Sequence, residues 1–523
     1  MQPLSRVVIV LPVSFLLILV YPSCLLAVEA RVGTIAHLSD LHLDEFYKLG
    51  SPVQCPFETV GGTCCRPVPG WKGTPARAWG EYTCDSPGLL VNASLDWVLA
   101  VQGHRASVQG FDPNVSSREI SLTVDLVMVT GDYCDHHDLN QSLAQNAQVI
   151  ANVAAKWSDR FSSPFIPVLP VLGNHDTWPV DQLCPASELD GAYQPLYRTL
   201  VKSWGPWLRS VGAPDRALDT LGEGGFYGFQ LELPSRSSRP ESVRPVEGAP
   251  LWVFGLNTLF YDNLNIANRD LCSGSDAGQW TALVDTIEQA HAVGGRVMVI
   301  GHMPPGSKEA TEAFTWQFQQ LVATYPETIM GSWWGHEHKD EIVLFRNAES
   351  SFGPSAHSRL EGPPTHEGPP NGPGLPAAVG HGYIAPSVMP AWHFPAGRLY
   401  SYDSDTLEVL DYKQYVLNLT ALYTALSTSS GGKHSHPTSL PVVPTFDLYY
   451  TASEAYNLPD LSTSSWEKWA LLAETNHTMM DLYWKHSYPG YDHGPCDTSC
   501  RTRLWCNVMF ADAEARKHCK DHP

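Results

Sequence analysis

The chain has 523 residues, 43% of them hydrophobic and 17% charged, enough to bury one enlarged α/β core or two to three smaller domains. Acidic residues outnumber basic ones 54 to 33, a formal charge of −21 that repels nucleic-acid backbones and anionic membrane surfaces, so no binding of nucleic-acid polymers is expected. That figure counts 21 histidines as neutral; an acidic compartment would charge them.

Residues 1–30 read as a cleaved secretory signal: Arg6, the apolar run Val7 to Val20, then Ala27-Val28-Glu29-Ala30 with small residues at a cleavage spacing. The run is shorter than the ~20 residues of a membrane span. No later stretch approaches that length, so no transmembrane segment is expected in the mature chain.

Strand-length apolar runs then recur, most of them leading into a polar block. Thr34 to Leu38 precedes Asp40-Leu41-His42, Leu126 to Thr130 precedes Gly131-Asp132, and Ile166 to Leu172 precedes Gly173-Asn174-His175. Trp252 to Leu256 is a further run, Arg296 to Ile300 precedes Gly301-His302, and Gly335-His336-Glu337-His338 closes the series. Runs this continuous suit strands buried on both faces. Helix-compatible stretches at Gln141 to Trp157 and Gln279 to Ala292 lie between them, which predicts an α/β sandwich with its polar blocks on loops at strand ends.

Residues 235–250 and the Pro/Gly/His-rich 350–376 read as loop insertions, Leu399 to Val416 as terminal strands, and 427–440 as a linker ahead of a helical tail over 441–523. In that tail Ser464 to Glu467 spells a capping box, and Trp466, Trp469, Ala470 and Ala473 share a helical face suited to packing.

Cys55, Cys64, Cys65 and Cys84 form one close cluster, and Cys496, Cys500, Cys506 and Cys519 another, the pattern of disulfides on an oxidising route. Without Cys24 of the signal the cysteine count is odd, so one of Cys134, Cys184 and Cys272 should be unpaired. Sequons at Asn92, Asn114, Asn140, Asn418 and Asn476 agree with a secreted glycoprotein.

Each polar block alone is a common turn sequence; together they make a ligand set. Asp40 and His42, two apart at a strand end, project the same way onto one ion. Asp132 can bridge two ions ~3.5–4 Å apart. Asn174 supplies a neutral carbonyl, and His302, His336 and His338 supply imidazoles. Mixed N and O donors suit two Zn²⁺ ions first, with Mn²⁺ or Fe as alternatives, and such a pair would activate a bridging water for in-line attack on phosphorus. The leaving oxygen needs a proton, for which His136, four residues after Asp132, and His175 are the candidates.

In these blocks the chain resembles the calcineurin-like metallophosphoesterases and, more closely, the acid sphingomyelinase-like phosphodiesterases. The resemblance also covers Asp176, Trp178-Pro179, Gly224-Gly225-Phe226-Tyr227, Met303-Pro304-Pro305-Gly306, Ala385-Pro386-Ser387, the stretch Tyr415 to Thr420 and the cysteine-bearing tail. It implies a β-sandwich flanked by helices over 31–426, with a C-terminal helical disulfide-bonded subdomain. It further implies that Asp40, His42, Asp132 and His338 hold one zinc while Asp132, Asn174, His302 and His336 hold the other. His136 becomes the proton donor and His175 a phosphate contact, and the disulfides become Cys55–Cys64, Cys65–Cys84, Cys496–Cys500 and Cys506–Cys519.

One departure is that Tyr133 to Asp138 lacks the usual proline and doubles its histidine, leaving the donor open between His136 and His137, with spacing favouring His136. Another is that only the signal precedes Asp40, as in the branch without a saposin-type module, which is linked to soluble phosphodiesters. The expected activity is therefore that of a secreted or lysosomal zinc phosphodiesterase acting on phosphodiester or pyrophosphate bonds of small soluble substrates such as nucleotides. The alternative is a sphingomyelin phosphodiesterase reading a lipid headgroup. Tyr133 and Trp178 are candidates for stacking on a base, against a packing role. A purple acid phosphatase would need Tyr where Asp135 stands, and a non-catalytic binding protein would be marked by a lost ligand; the chain shows neither feature.

Overall fold

The computed structural model describes residues 32–521 apart from 56–63, 71–72, 103–104, 109–117, 122, 139–140, 163–164, 234–247, 347–374, 391 and 430–443. The signal, most of both insertions and of the linker, and the sequons at Asn114 and Asn140 lie outside the described residues.

In chain order the strands are β1 (Val32–Leu38), a small antiparallel pair β2 (Arg105–Val108) and β3 (Arg118–Ser121), β4 (Val124–Val129), β5 (Val168–Pro170), β6 (Tyr227–Gln230), β7 (Leu251–Gly255), β8 (Arg296–Ile300), β9 (Ile329–Trp334), β10 (Glu341–Arg346), β11 (Ala378–Ile384), β12 (Ala396–Asp403), β13 (Val409–Val416) and β14 (Asp447–Thr451). Two six-stranded mixed sheets result, ordered β14-β13-β12-β1-β4-β5 and β10-β11-β9-β8-β7-β6. The predicted runs land on β1, β4, β5, β7 and β8. The third run, Ile166 to Leu172, yields only the short β5, because Pro167 and Pro170 cannot donate to a ladder and confine it to an edge.

Side-chain alternation explains the layering. In β8, Val297 and Val299 point into one apolar cluster while Met298 and Ile300 point into another. The second of these is the inter-sheet core, where Trp333 and Tyr383 of one sheet meet Tyr400 of the other at 5.9 and 5.3 Å between ring centres. The outer faces carry helices: α1 (Gly88–Ala100), α2 (Leu143–Phe161), α3 (Gln194–Arg209), α4 (Asp215–Gly224), α5 (Gln279–Ala292) and α6 (Glu312–Thr324). Helix α2 starts where Ser142 accepts the Gln145 N–H, and it buries Val149, Ile150, Val153 and Trp157 along one face.

Helix α7 (Leu419–Ser429) follows β13, and the tail adds α8 (Ala452–Tyr456), α9 (Thr463–Ala473), α10 (His477–Ser487), α11 (Thr498–Met509) and α12 (Ala513–Asp521). It opens on β14, which pairs antiparallel with β13 and so extends the first sheet. Trp466, Trp469, Ala470 and Ala473 are buried on one face of α9. The cap of that helix is not Ser464 but Ser462, whose hydroxyl accepts the Ser465 N–H, and Glu467 does not reach back to it. Buried Arg346 draws Glu467 instead, at 2.6 Å, and the same carboxylate accepts the Ala378 N–H: a buried guanidinium needs an anion more than a helix start does.

The four disulfides implied by the resemblance are present. Cys184 and Cys272 make a fifth, so the unpaired thiol is Cys134, which is buried.

Candidate metal centre

Strands β1, β4 and β5 run parallel in one sheet, and β7, β8 and β9 run parallel in the other. Their carboxyl ends meet at one edge of the sandwich, where open α/β sheets place ligands. Cross-loop hydrogen bonds lock the blocks together: Asp40 N–H donates to the Gly131 carbonyl, His42 N–H to Asp132 and Gly335 N–H to His302, at 2.8–3.1 Å. Asp40, His42, Asp132, His336 and His338 all have φ between 40° and 69°, a left-handed conformation costing ~1–3 kcal/mol each and kept only where the surroundings impose it. Gly131, at φ 91°, must be glycine for a second reason: a Cβ there would stand 2.7 Å from His302 Nδ1.

The predicted ligands converge in two groups around one carboxylate. In the first, one donor atom each from Asp40, His42, Asp132 and His338 lie within 4.8 Å of one another. His42 Nε2 is 3.0 Å from His338 Nε2 and 3.4 Å from Asp132 Oδ2, and Asp40 Oδ1 is 3.3 Å from His338 Nε2. In the second, Asn174 Oδ1 is 2.9 Å from His302 Nε2 and 3.2 Å from His336 Nδ1, and Asp132 Oδ2 is 3.2 Å from His302 Nε2.

The tautomers fit a cation. His42 Nδ1 donates to the Cys134 carbonyl and His302 Nδ1 to the Thr130 carbonyl, both at 2.7 Å; a carbonyl only accepts, so in the neutral ring each Nε2 carries its lone pair into the cluster. Buried lone pairs and carboxylates facing one another are the donor set of a divalent ion.

His136 also lies in this cluster, stacked on His42 at 3.8 Å, and shares a 4.8 Å donor group with His42 and His338. Asp85, fully buried, accepts from its backbone N–H at 3.1 Å and its Nδ1 at 2.7 Å, which leaves Nε2 on the cleft side. His137 is 4% exposed and does not line the cleft. His175 lines it, with its backbone N–H on Asp132 Oδ1 at 2.9 Å and its Nδ1 3.5 Å from Asp138. Burial opposes a charge on His175, but Asp132 and then Asp138 push its pKa up to about 9.

Several functional neighbours carry no spacing signal in the sequence. Asp85 is 51 positions from its histidine. Asp176 sits fully buried under the site and accepts the N–H groups of Gly173, Asp132, Tyr133 and Cys134. Burial, then the charge of Asp132, raise its pKa to about 7. The open cleft above is about 450 Å³ and is walled by Asp138, Asp181, Glu309 and Glu337 against Lys308 and the charged ring of His175, with Val180 and Leu264 as its apolar part.

The aromatic candidates part company. Tyr133 is fully buried and packs on Trp157 and Trp204, each at 5.7 Å, so it cannot touch a ligand. Trp178 is 40% exposed beside the cleft, its indole N–H 3.4 Å from the Asp138 carbonyl.

Residues 33–340, more than half of the chain, match the family described as calcineurin-like phosphoesterase. The chain belongs to that family. Among its relatives are sphingomyelin phosphodiesterase A of Dictyostelium discoideum, 29% identical over 91% of this chain, and human acid sphingomyelinase-like phosphodiesterase 3b, 25% identical over 94%. Cyclic GMP-AMP phosphodiesterase SMPDL3A of Rattus norvegicus is 25% identical over 93%. The chain spans 66% of the length of the Dictyostelium protein, 90% of the human one and 92% of the rat one. Calcineurin-like phosphoesterases use a dinuclear metal centre, and the paired donor groups around Asp132 stand where one would be held. Among the described residues no helix is long and apolar enough to cross a membrane.

Proposed function

We propose that the chain is a secreted phosphodiesterase whose two zinc ions are held by Asp40, His42, Asp132 and His338 and by Asp132, Asn174, His302 and His336. The observation that carries this reading is the position of Asp132 Oδ2, within 3.4 Å of a ring nitrogen from each group and beneath an open cleft. When bound, two such ions supply an activated water and neutralise charge on the phosphoryl oxygens. The chain's own residues do the rest. Asp85 orients His136 so that Nε2 can hand a proton to the leaving oxygen, and His175 offers a charged ring to a phosphoryl oxygen.

The charge of the walls narrows the substrate. Beyond the metal centre and His175, the outer walls carry four carboxylates against one lysine, which disfavours the extra charge of a polyphosphate and suits a phosphodiester with one negative charge. Among soluble substrates this favours simple nucleotide diesters over pyrophosphates. The same walls, with half-exposed Trp178 and Leu264 nearby, also favour a second reading, a choline-type diester such as sphingomyelin.

The experiment is zinc quantification with turnover of a substrate panel: bis(p-nitrophenyl) phosphate, its monoester, nucleotide diesters and pyrophosphates, and sphingomyelin in liposomes. Zinc-dependent cleavage of diesters over monoesters supports the proposal, and turnover of liposomes alone selects the second reading. Protein that binds no zinc and cleaves none of them would overturn both.

A further inference from the structure

We infer that Glu309 and Asp181 are positioning residues that fix which atoms His336 and Asn174 present to the second metal position; the inference rests on the metal centre proposed above. Both ligands are chemically ambiguous. An imidazole can offer either nitrogen, and a carboxamide can turn either its oxygen or its amine inward.

The structure resolves each ambiguity with one carboxylate. His336 Nε2 donates to Glu309 Oε2 at 2.9 Å, so the ring proton sits there and Nδ1, 3.2 Å from Asn174 Oδ1, carries the inward lone pair. Asn174 Nδ2 donates to Asp181 Oδ1 at 3.0 Å. A carboxylate accepts only, so the amine end faces out, and Oδ1 turns toward His302 Nε2 and His336 Nδ1. Lys308 stands 3.3 Å from the other oxygen of Glu309 and steadies it.

His42 and His302 are held differently. Backbone carbonyls of Cys134 and Thr130 fix their tautomers, and no side-chain change removes a carbonyl. His336 and Asn174, which belong to the second position alone, depend instead on side chains that can be changed. Outer carboxylates of this kind also raise the basicity of the imidazole they hold. Removing them should therefore loosen one ion and spare the other.

The test is zinc binding to the full chain, read by elemental analysis and by calorimetric titration of chelator-stripped protein, for wild type and for Glu309→Gln, Glu309→Ala and Asp181→Asn. Two zinc ions are expected in wild type. In each variant one site should weaken by about 10- to 100-fold while the other keeps its affinity, with the thermal midpoint of the zinc-free protein unchanged. Two sites of unaltered affinity in all three variants, equal weakening of both, or a common fall in the zinc-free midpoint would overturn the inference. Wild type that binds no zinc would instead sink the reading beneath it.

Discussion

His136 and His137 are neighbours in sequence and strangers in space. One stacks on His42 and is held by Asp85; the other is turned away from the cleft. Replacing His136 with Asn should lower kcat by ~10²- to 10⁴-fold, the range of general acid catalysis, with both zinc ions retained, whereas His137→Asn should change kcat little. Steady-state kinetics on one diester decides between them, and an equal loss in both variants would remove His136 from its role. Asp132→Asn should be more severe, since one oxygen faces both donor groups: zinc content should fall along with activity. The proposed ligands were legible in the sequence because each follows a strand end and a glycine or a tight turn. Asp85, Asp181 and Glu309 were not, since a carboxylate that holds a ring or a carboxamide needs only to be near it in the fold.

At the scale of elements, β8 and α5 coincide with the runs Arg296 to Ile300 and Gln279 to Ala292, because continuous apolar residues and 3.6-residue periodicity are local properties. The start of α9 was decided elsewhere, by Arg346 competing for Glu467, whereas the shortness of β5 follows from the two prolines within its own run. The pairing of Cys184 with Cys272, 88 residues apart, is equally a product of the fold. Helix α9 is the anchor of the tail: Trp466 is 1% exposed and packs on Tyr456 at 5.4 Å and Trp469 at 5.9 Å. Trp466→Ala should cost ~3–5 kcal/mol, measurable as a lower urea midpoint by circular dichroism, while an unchanged midpoint would mean that the tail adds nothing to the core.

Across the whole molecule, acid should act through two histidines outside the ligand set, buried His486 and half-buried His381. His381 of β11 bonds Thr463 at 2.9 Å, and His486 of α10 bonds Tyr456 at 3.0 Å. Burial lowers both pKa values to about 4 from the usual 6.5. Between those limits the unfolded chain binds protons that the folded chain refuses, so their contribution is complete above pH 6.5 and declines as pH falls toward 4, by up to ~3 kcal/mol each. Thermal midpoints of zinc-free protein from pH 7 to 4 should drop, and His381→Gln should flatten that drop; a parallel slope would refute it.

The meeting of two sheets at the ligand edge has one more consequence. Asp40, His42, Asp132 and Asn174 hang from one sheet, and His302, His336 and His338 from the other. A slip of one sheet past the other by a single strand step, ~3.3 Å, would carry the three imidazoles of one sheet out of reach of the four donors of the other while leaving every hydrogen-bonded ladder intact. The edge thus works as a vernier for the alignment of the sandwich, and a distant core substitution that shifts that alignment would announce itself as lost zinc before any strand had melted.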